Sequence, residues 1–393
     1  MPGASEFVIN TPINTPILDS GVLPPRKPGK YLLGFIVGLA TSLLFAAAVG
    51  AISTDRTHTS ATMLLYFPIL MLTVVLHELG HVAAGVVVGF HFSSISIGPF
   101  SIGLQYGKVK FQTRPQSGAL GYAGMHIETV SRLRRNLFIF VMAGPLTNLV
   151  SGALAAVFIL ISPQTLRSSW LIALSTAFSM LSFLVFVLSA IPFRSTFHSD
   201  GDRIRMLIKS PRETRRWISA MTLASQQRKG IRPRRWKQTW LLAVCAVRDS
   251  SIDEFFGNLL AYIAASDRKD VTAESRHLER CLELAHLAPV MSRDLIASET
   301  AHFCAWTRSD SRLAESWLSQ LENRKPITPL IGIRTEIALA CASSNFDEAL
   351  SLWQKGIAFI GHLPPTLIKE TIEESWREWG NEIREKNGRL ATK

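Results

Sequence analysis

Four long stretches of the chain carry almost no charge, and this limits its fold more than any other feature. Residues 31–54, 136–164 and 168–193 contain no Asp, Glu, Lys or Arg, and each exceeds the roughly 20 residues a helix needs to cross a bilayer. A fourth stretch, residues 61–90, is as long, and its only acidic, basic or imidazole side chains are His77, Glu78 and His81. Four membrane helices are therefore expected, in a mainly α-helical chain. The opening residues, rich in proline and polar side chains, lack the basic start of a secretory leader. Residues 1–30 are expected to form a disordered cytoplasmic tail, followed by a transmembrane domain over 31–209.

Basic residues set the expected orientation. Arg26, Lys27 and Lys30 precede the first apolar stretch, whereas only Arg56 and Arg167 lie in the two short loops that would face outward. Lys108, Lys110, Arg114, Arg132, Arg134 and Arg135 separate the second and third stretches, and Arg194, Arg203, Arg205 and Lys209 follow the fourth. The protein is thus expected to be a multi-pass protein of the cell membrane with both termini cytoplasmic. Its net charge of +12 is concentrated in segments flanking the membrane, such as RKGIRPRRWK (228–237), which points to anionic membrane lipid and not nucleic acid. Cys245, Cys281, Cys304 and Cys341 all fall in the second half without a CxxC pair, and read as reduced, small apolar residues.

The three polar residues of the second stretch lie in LHELGHVAAG. On a helix His77 and His81 are one turn apart on the same face, so both imidazoles can reach one ion, with the Glu78 carboxylate beside them. This HExxH spacing belongs to zinc peptidases, in which the glutamate takes a proton from the attacking water. An uncompensated ionisable group at bilayer depth costs about 2.5 to 3.5 kcal/mol on insertion scales, so three in one turn require a partner, and Zn2+ supplies one. Zinc needs a third protein ligand. In SAIPFRSTFHSDGDRIRMLI, after the fourth stretch, Asp200, Asp202 and His198 are chemically competent. Asp200 is preferred, because Gly201 permits a tight turn that would return the carboxylate toward the membrane.

Three segments together resemble the site-2 proteases, zinc metalloproteases that cut substrate helices within the membrane. LHELGHVAAG matches the first motif of that family; VMAGPLTNLVSG (141–152) is similar to its third-helix signature through Gly144, Pro145 and Asn148; and LSAIPFRSTFHSDGD (188–202) resembles its closing Asn-x-x-Pro and Asp-Gly motif. The resemblance spans residues 60–210. It implies zinc ligands at His77, His81 and Asp200, a catalytic base at Glu78, and an assisting role for Asn148 near the substrate or the oxyanion. Ser189 replaces the asparagine of the closing motif, Asp202 replaces its second glycine, and the spacer from Pro192 to Asp200 is longer than usual.

Between the second and third stretches, residues 92–125 alternate partly like strands and are broken by glycines, which predicts a membrane-associated β-hairpin. Its exposed edge would hold an unwound substrate backbone. Residues 210–393 are expected to form a cytoplasmic helical domain. An offset near 35, matching Ala305 with Ala340 and Ala314 with Ala349, suggests tetratricopeptide-like hairpins that could bind a regulatory protein. The expected substrate is a single-span membrane protein or a signal peptide. The competing expectation is a non-proteolytic adaptor that keeps the scaffold and binds a partner through the helical domain.

Overall fold

The computed structural model describes residues 15–25, 65–105, 108–113, 121–128, 131–163, 165, 170–194, 198–321 and 328–391. The chain divides into two compact units, residues 26–225 and residues 1–25 together with 226–393. The expected first membrane helix, residues 31–54, lies outside the described residues, as do residues 1–14 and 26–30 of the expected tail. A single helical turn, α1 (Pro16–Ser20), begins the described chain and packs in the second unit.

In the first unit three helices are long and apolar enough to cross a membrane: α2 (Tyr66–Val87), α3 (Leu133–Ile161) and α4 (Trp170–Ala190). At a 1.5 Å rise per residue even α4 extends about 31 Å, the thickness of a hydrocarbon core. Their burial is inverted relative to a water-soluble bundle. Leu79, Val87, Leu154, Leu160 and Ile161 are exposed, whereas Thr73, His77, Glu78, His81, Asn148, Ser179 and Ser182 are buried. Lipid tails are as apolar as leucine, so apolar side chains can face outward while polar ones find partners inside. Ser179 on α4, for example, donates to the carbonyl of Gly152 on α3 at 2.8 Å.

Between α2 and α3 the structure has four strands where the sequence suggests a hairpin. They are β1 (Phe90–Ile97), β2 (Phe100–Gln105), β3 (Lys108–Gln112) and β4 (Gly121–Ile127), in the antiparallel order β3-β2-β1-β4. A two-residue turn at Gly98 and Pro99, with Gly98 at φ +54°, joins β1 to β2. The glycine-broken alternation hides the further strand pair, because β4 returns across many residues to cover the free side of β1. β3 and β4 form the edges of the open sheet. Phe100, Ile102, Leu104, Val109 and Phe111 are exposed, leaving much of the sheet's apolar surface uncovered. After α4 come α5 (Asp200–Lys209) and α6 (Pro211–Arg228).

The second unit is all helical: α7 (Gln238–Cys245), α8 (Ile252–Arg268), α9 (Val271–Leu284), α10 (Val290–Trp306), α11 (Ser311–Ser319), α12 (Pro329–Ala342), α13 (Phe346–Gly361) and α14 (Leu367–Ala391). Its cores combine Phe255, Tyr262, Leu278, Phe303 and Trp317 with a second cluster around Ile337, Ile360 and Trp376. One turn chemistry recurs before α8, α9, α11 and α13. Ser250, Lys269, Ser309 and Ser344 adopt positive φ, and the next residue in each case (Ser251, Asp270, Asp310, Asn345) caps the following helix with its side chain. Before α9, α11 and α13 the left-handed residue closes the preceding helix end and the short polar side chain starts the next helix, which keeps the turn tight. The four cysteines are free, and Cys281, Cys304 and Cys341 are buried.

Residues 15–25, expected in a disordered tail, are ordered against this unit. Leu18 is fully buried, and the Glu279 carboxylate accepts from the backbone of Ile17 and Leu18 at 2.9 and 2.8 Å. Composition alone reads such a segment as disordered because the surface that orders it lies more than 250 residues away in sequence.

Candidate functional site

His77 and His81 project from one face of α2, their rings edge to face with centroids 4.8 Å apart. Their Nε2 atoms are 3.2 Å apart. Asp200, at the start of α5, completes the triangle, with Oδ2 3.0 Å from His77 Nε2 and Oδ1 3.5 Å from His81 Nε2. Among the described residues this is the one group of three potential ligands whose donor atoms lie within 4.8 Å of one another.

The triangle fits zinc. Donors bound at about 2.0 to 2.1 Å in a tetrahedron stand about 3.3 Å apart, close to the observed spacings. The far nitrogens of both rings are also occupied. His81 Nδ1 lies 2.7 Å from the carbonyl of Phe140, so that nitrogen carries the proton and Nε2 presents its lone pair to the site. Phe140 belongs to α3, the helix that also carries Gly144 and Asn148. His77 Nδ1 lies 3.2 Å from the Asn148 amide, whose Oδ1 is buried without a partner.

Three glycines make room for this geometry. On α3, a Cβ at Gly144 would stand 2.6 Å from His81 Cε1 and 2.7 Å from His77 Nε2, so the imidazoles rest directly on its backbone. On β4, a Cβ at Gly121 would come within 2.9 Å of the Glu78 carboxyl carbon. The third, Gly201, differs from its sequence reading. It is helical, and its small size lets α5 abut the end of α4, where a Cβ would lie 2.5 Å from the carbonyl carbon of Ala190. Close approach, not a special backbone angle, explains the glycine after Asp200.

The other two competent residues of that loop are engaged with each other. His198 Nδ1 lies 2.6 Å from Asp202 Oδ2, and Asp202, fully buried, also accepts from Arg194 at 2.8 Å and from Arg205 at 2.5 Å. Burial pushes the Asp202 carboxyl up, but these cations bring it below its ordinary range. Ser199 is the N-cap of α5, accepting from Asp202 N at 3.1 Å while donating to Ile191 O at 2.8 Å. This network fixes the first turn of α5, and with it Asp200.

The five residues singled out from sequence (His77, Glu78, His81, Asn148 and Asp200) therefore converge from α2, α3 and α5. Sequence reasoning missed Gly121 and the carbonyl of Phe140. A backbone acceptor leaves no signature in residue type, and Gly121 is one glycine among several in its loop.

The model of Peptidase family M50 matches residues 65–316. No curated protein and no solved structure matches the chain. The match covers all three described membrane helices, the sheet and the histidine-aspartate triangle, and extends through the first helical pairs of the second unit. The chain belongs to Peptidase family M50, the site-2 proteases, and is a zinc metallopeptidase acting on membrane-embedded substrates.

Proposed function

We propose that His77, His81 and Asp200 hold the zinc ion, that Glu78 is the catalytic base, and that Asn148 serves both the metal site and the reaction. The convergence of two Nε2 atoms and a carboxylate at ligand spacing, with both remaining imidazole nitrogens occupied, carries this reading. Zinc bound there would polarise the scissile carbonyl and acidify the attacking water. Glu78, adjacent to His77, accepts the proton of that water and delivers it to the departing amine. Asn148 is best oriented with Oδ1 toward His77 Nδ1, accepting its proton, because this satisfies the orphaned oxygen and leaves His77 Nε2 free for the metal. The amide N–H groups then have no protein partner and can donate to the developing oxyanion.

A substrate helix must be unwound before its carbonyl can be attacked, and β4 offers an unpaired strand edge beginning at Gly121, beside Glu78. A substrate strand added there would gain backbone partners while its scissile bond faces the base.

For topology, the docking of residues 15–25 onto the helical unit supports an even number of crossings. Three described spans separate the two, so the parity supports a fourth span in the apolar stretch 31–54, and the basic residues outside the spans support cytoplasmic termini. The recurring cap-and-turn chemistry before α8, α9, α11 and α13 supports tandem helical hairpins in the second unit, whose stacked pairs would offer a surface to a regulatory protein. The product is a released cytoplasmic fragment of a single-span protein or a cleared signal peptide.

The test is comparative proteomics of membranes carrying the natural chain or Glu78→Gln. The variant should retain its metal and lose on the order of 10^2 to 10^4 in turnover, the contribution of a positioned acid-base group. An intact single-span protein should accumulate with the variant alone; identical membranes with the two chains would refute the assignment.

A further inference from the structure

Residues 15–25 are held by the helical unit as a receptor holds a peptide. The turn α1 has too few residues to be stable alone, so its order comes from the surface that receives it. That surface satisfies both ends of the turn. The Glu279 carboxylate on α9 accepts the two leading N–H groups, of Ile17 and Leu18, and Trp317 on α11 donates its indole N–H to the carbonyl of Leu18 at 3.0 Å. Leu18 is the fully buried anchor, and Leu23 a second, 7% exposed.

The segment is also read for charge and shape. Asp19 pairs with Arg308, which also reaches Thr15 Oγ1. Gly21 adopts φ +67°, a left-handed conformation that favours glycine, and a Cβ there would also crowd Ser316. Beyond it, Arg293 donates to the carbonyl of Pro24 at 3.0 Å. Anchor, charge, glycine and end-capping together specify a sequence, which incidental packing of a terminus does not.

We propose that this face of the helical unit is a peptide-binding site for a one-turn helix of the pattern Thr-Pro-x-Leu-Asp-x-Gly, and that residues 15–25 are its resident, exchangeable occupant. The resident segment is covalently attached, so it competes for the site as a tethered ligand. A protein segment carrying the same pattern gains access when it outcompetes that tether. Release changes the helical unit from attachment at both Pro25 and Gln226 to attachment at Gln226 alone.

The test uses the full chain in detergent micelles and a fluorescent peptide of residues 14–25. Leu18→Asp in the chain removes the resident anchor, and Asp19→Arg weakens the segment while leaving the anchor intact, should the first variant fold poorly. Peptide affinity should rise at least about tenfold in either variant relative to the natural chain, because the tethered competitor is lost. A peptide carrying Asp19→Arg should bind poorly to the Asp19→Arg chain and well to a chain carrying Arg308→Asp alone, in which the resident Asp19 faces a like charge while the peptide's arginine is paired. Equal peptide affinity for the natural and variant chains, or no rescue by the charge swap, would overturn the proposal. So would a natural chain that is dimeric and dissociates on adding the peptide, since the segment would then come from a second copy.

Discussion

Gly144 on α3 underlies both imidazoles of the histidine-aspartate triangle: a Cβ at this position would stand 2.6 Å from His81 Cε1 and 2.7 Å from His77 Nε2. Two helices approach this closely only where one of them presents bare backbone. The glycine thus sets how closely the two imidazoles approach α3.

Gly144→Ala should therefore damage the metal site before it damages the fold. The displaced rings cannot keep both Nε2 atoms 3.2 Å apart. Zinc affinity should fall by about 10- to 100-fold or more, the range seen when groups that orient ligands are disturbed. Metal content against a graded chelator, measured on purified protein, checks this. Unchanged zinc retention would show that α3 can retreat.

Two substitutions at Asn148 separate its proposed roles. Asn148→Asp keeps an acceptor for His77 Nδ1–H but removes the donor, so the chain should retain zinc while turnover falls by about 10^2- to 10^3-fold, the usual loss for one oxyanion donor. Asn148→Ala removes both, and should lose metal affinity as well. Paired zinc and peptide-cleavage measurements decide it; equal zinc loss in the two variants would argue that the amide only fills space.

Gly201→Ala places a methyl group against the Ala190 carbonyl, where backbone cannot yield as a side chain can. Overpacking of this kind costs about 1 to 3 kcal/mol, and here it would push the start of α5, carrying Asp200, away from α2. The zinc-dependent rise in melting temperature should shrink accordingly, because the third ligand binds less well. A full zinc response in the variant would contradict the close-approach reading of this glycine.

Glu274 should favour the helical unit in mild acid, opposing His277 and His302, whose burial lowers their imidazoles and favours the folded unit at higher pH. Burial pushes the Glu274 carboxyl up to about 7 from 4.5, helped by nearby Glu299 and opposed by a hydrogen bond from Ser266 and by Arg334. A folded pKa above the unfolded one means the folded state holds the proton more tightly. The resulting stability is complete below about 4.5 and is lost as pH rises through about 7, amounting to no more than about 3 kcal/mol. Seven of the nine tryptophans lie beyond residue 226, so their fluorescence on heating reports this unit. Glu274→Gln should lower the stability at pH 5 relative to that at pH 8, compared with the natural chain; an unaltered difference would assign the pH dependence to other groups.

Much of the site was legible in sequence because its chemistry is local. His77, Glu78 and His81 lie within two turns of one helix, and four uncharged stretches of membrane length announce the solvent in which that helix sits. Asp200 could be nominated from its place after the last apolar stretch, but sequence left Asp202 and His198 beside it as competent alternatives. Only the folded chain separates them, by pairing His198 with Asp202 and leaving Asp200 to face the imidazoles.

The sequence by itself determined the membrane class, the histidine pair with its glutamate, and the helical character of the second half, since each depends on composition or on spacing within one element. The tertiary structure decided what depends on contact between distant segments: the four-stranded sheet in place of a hairpin, the glycines that clear space around the ligands, the Phe140 carbonyl that fixes His81, and the docking of residues 15–25. Periodicity records which face of an element is apolar. It carries no record of which other element will meet that face, because that choice is made by packing across the whole chain.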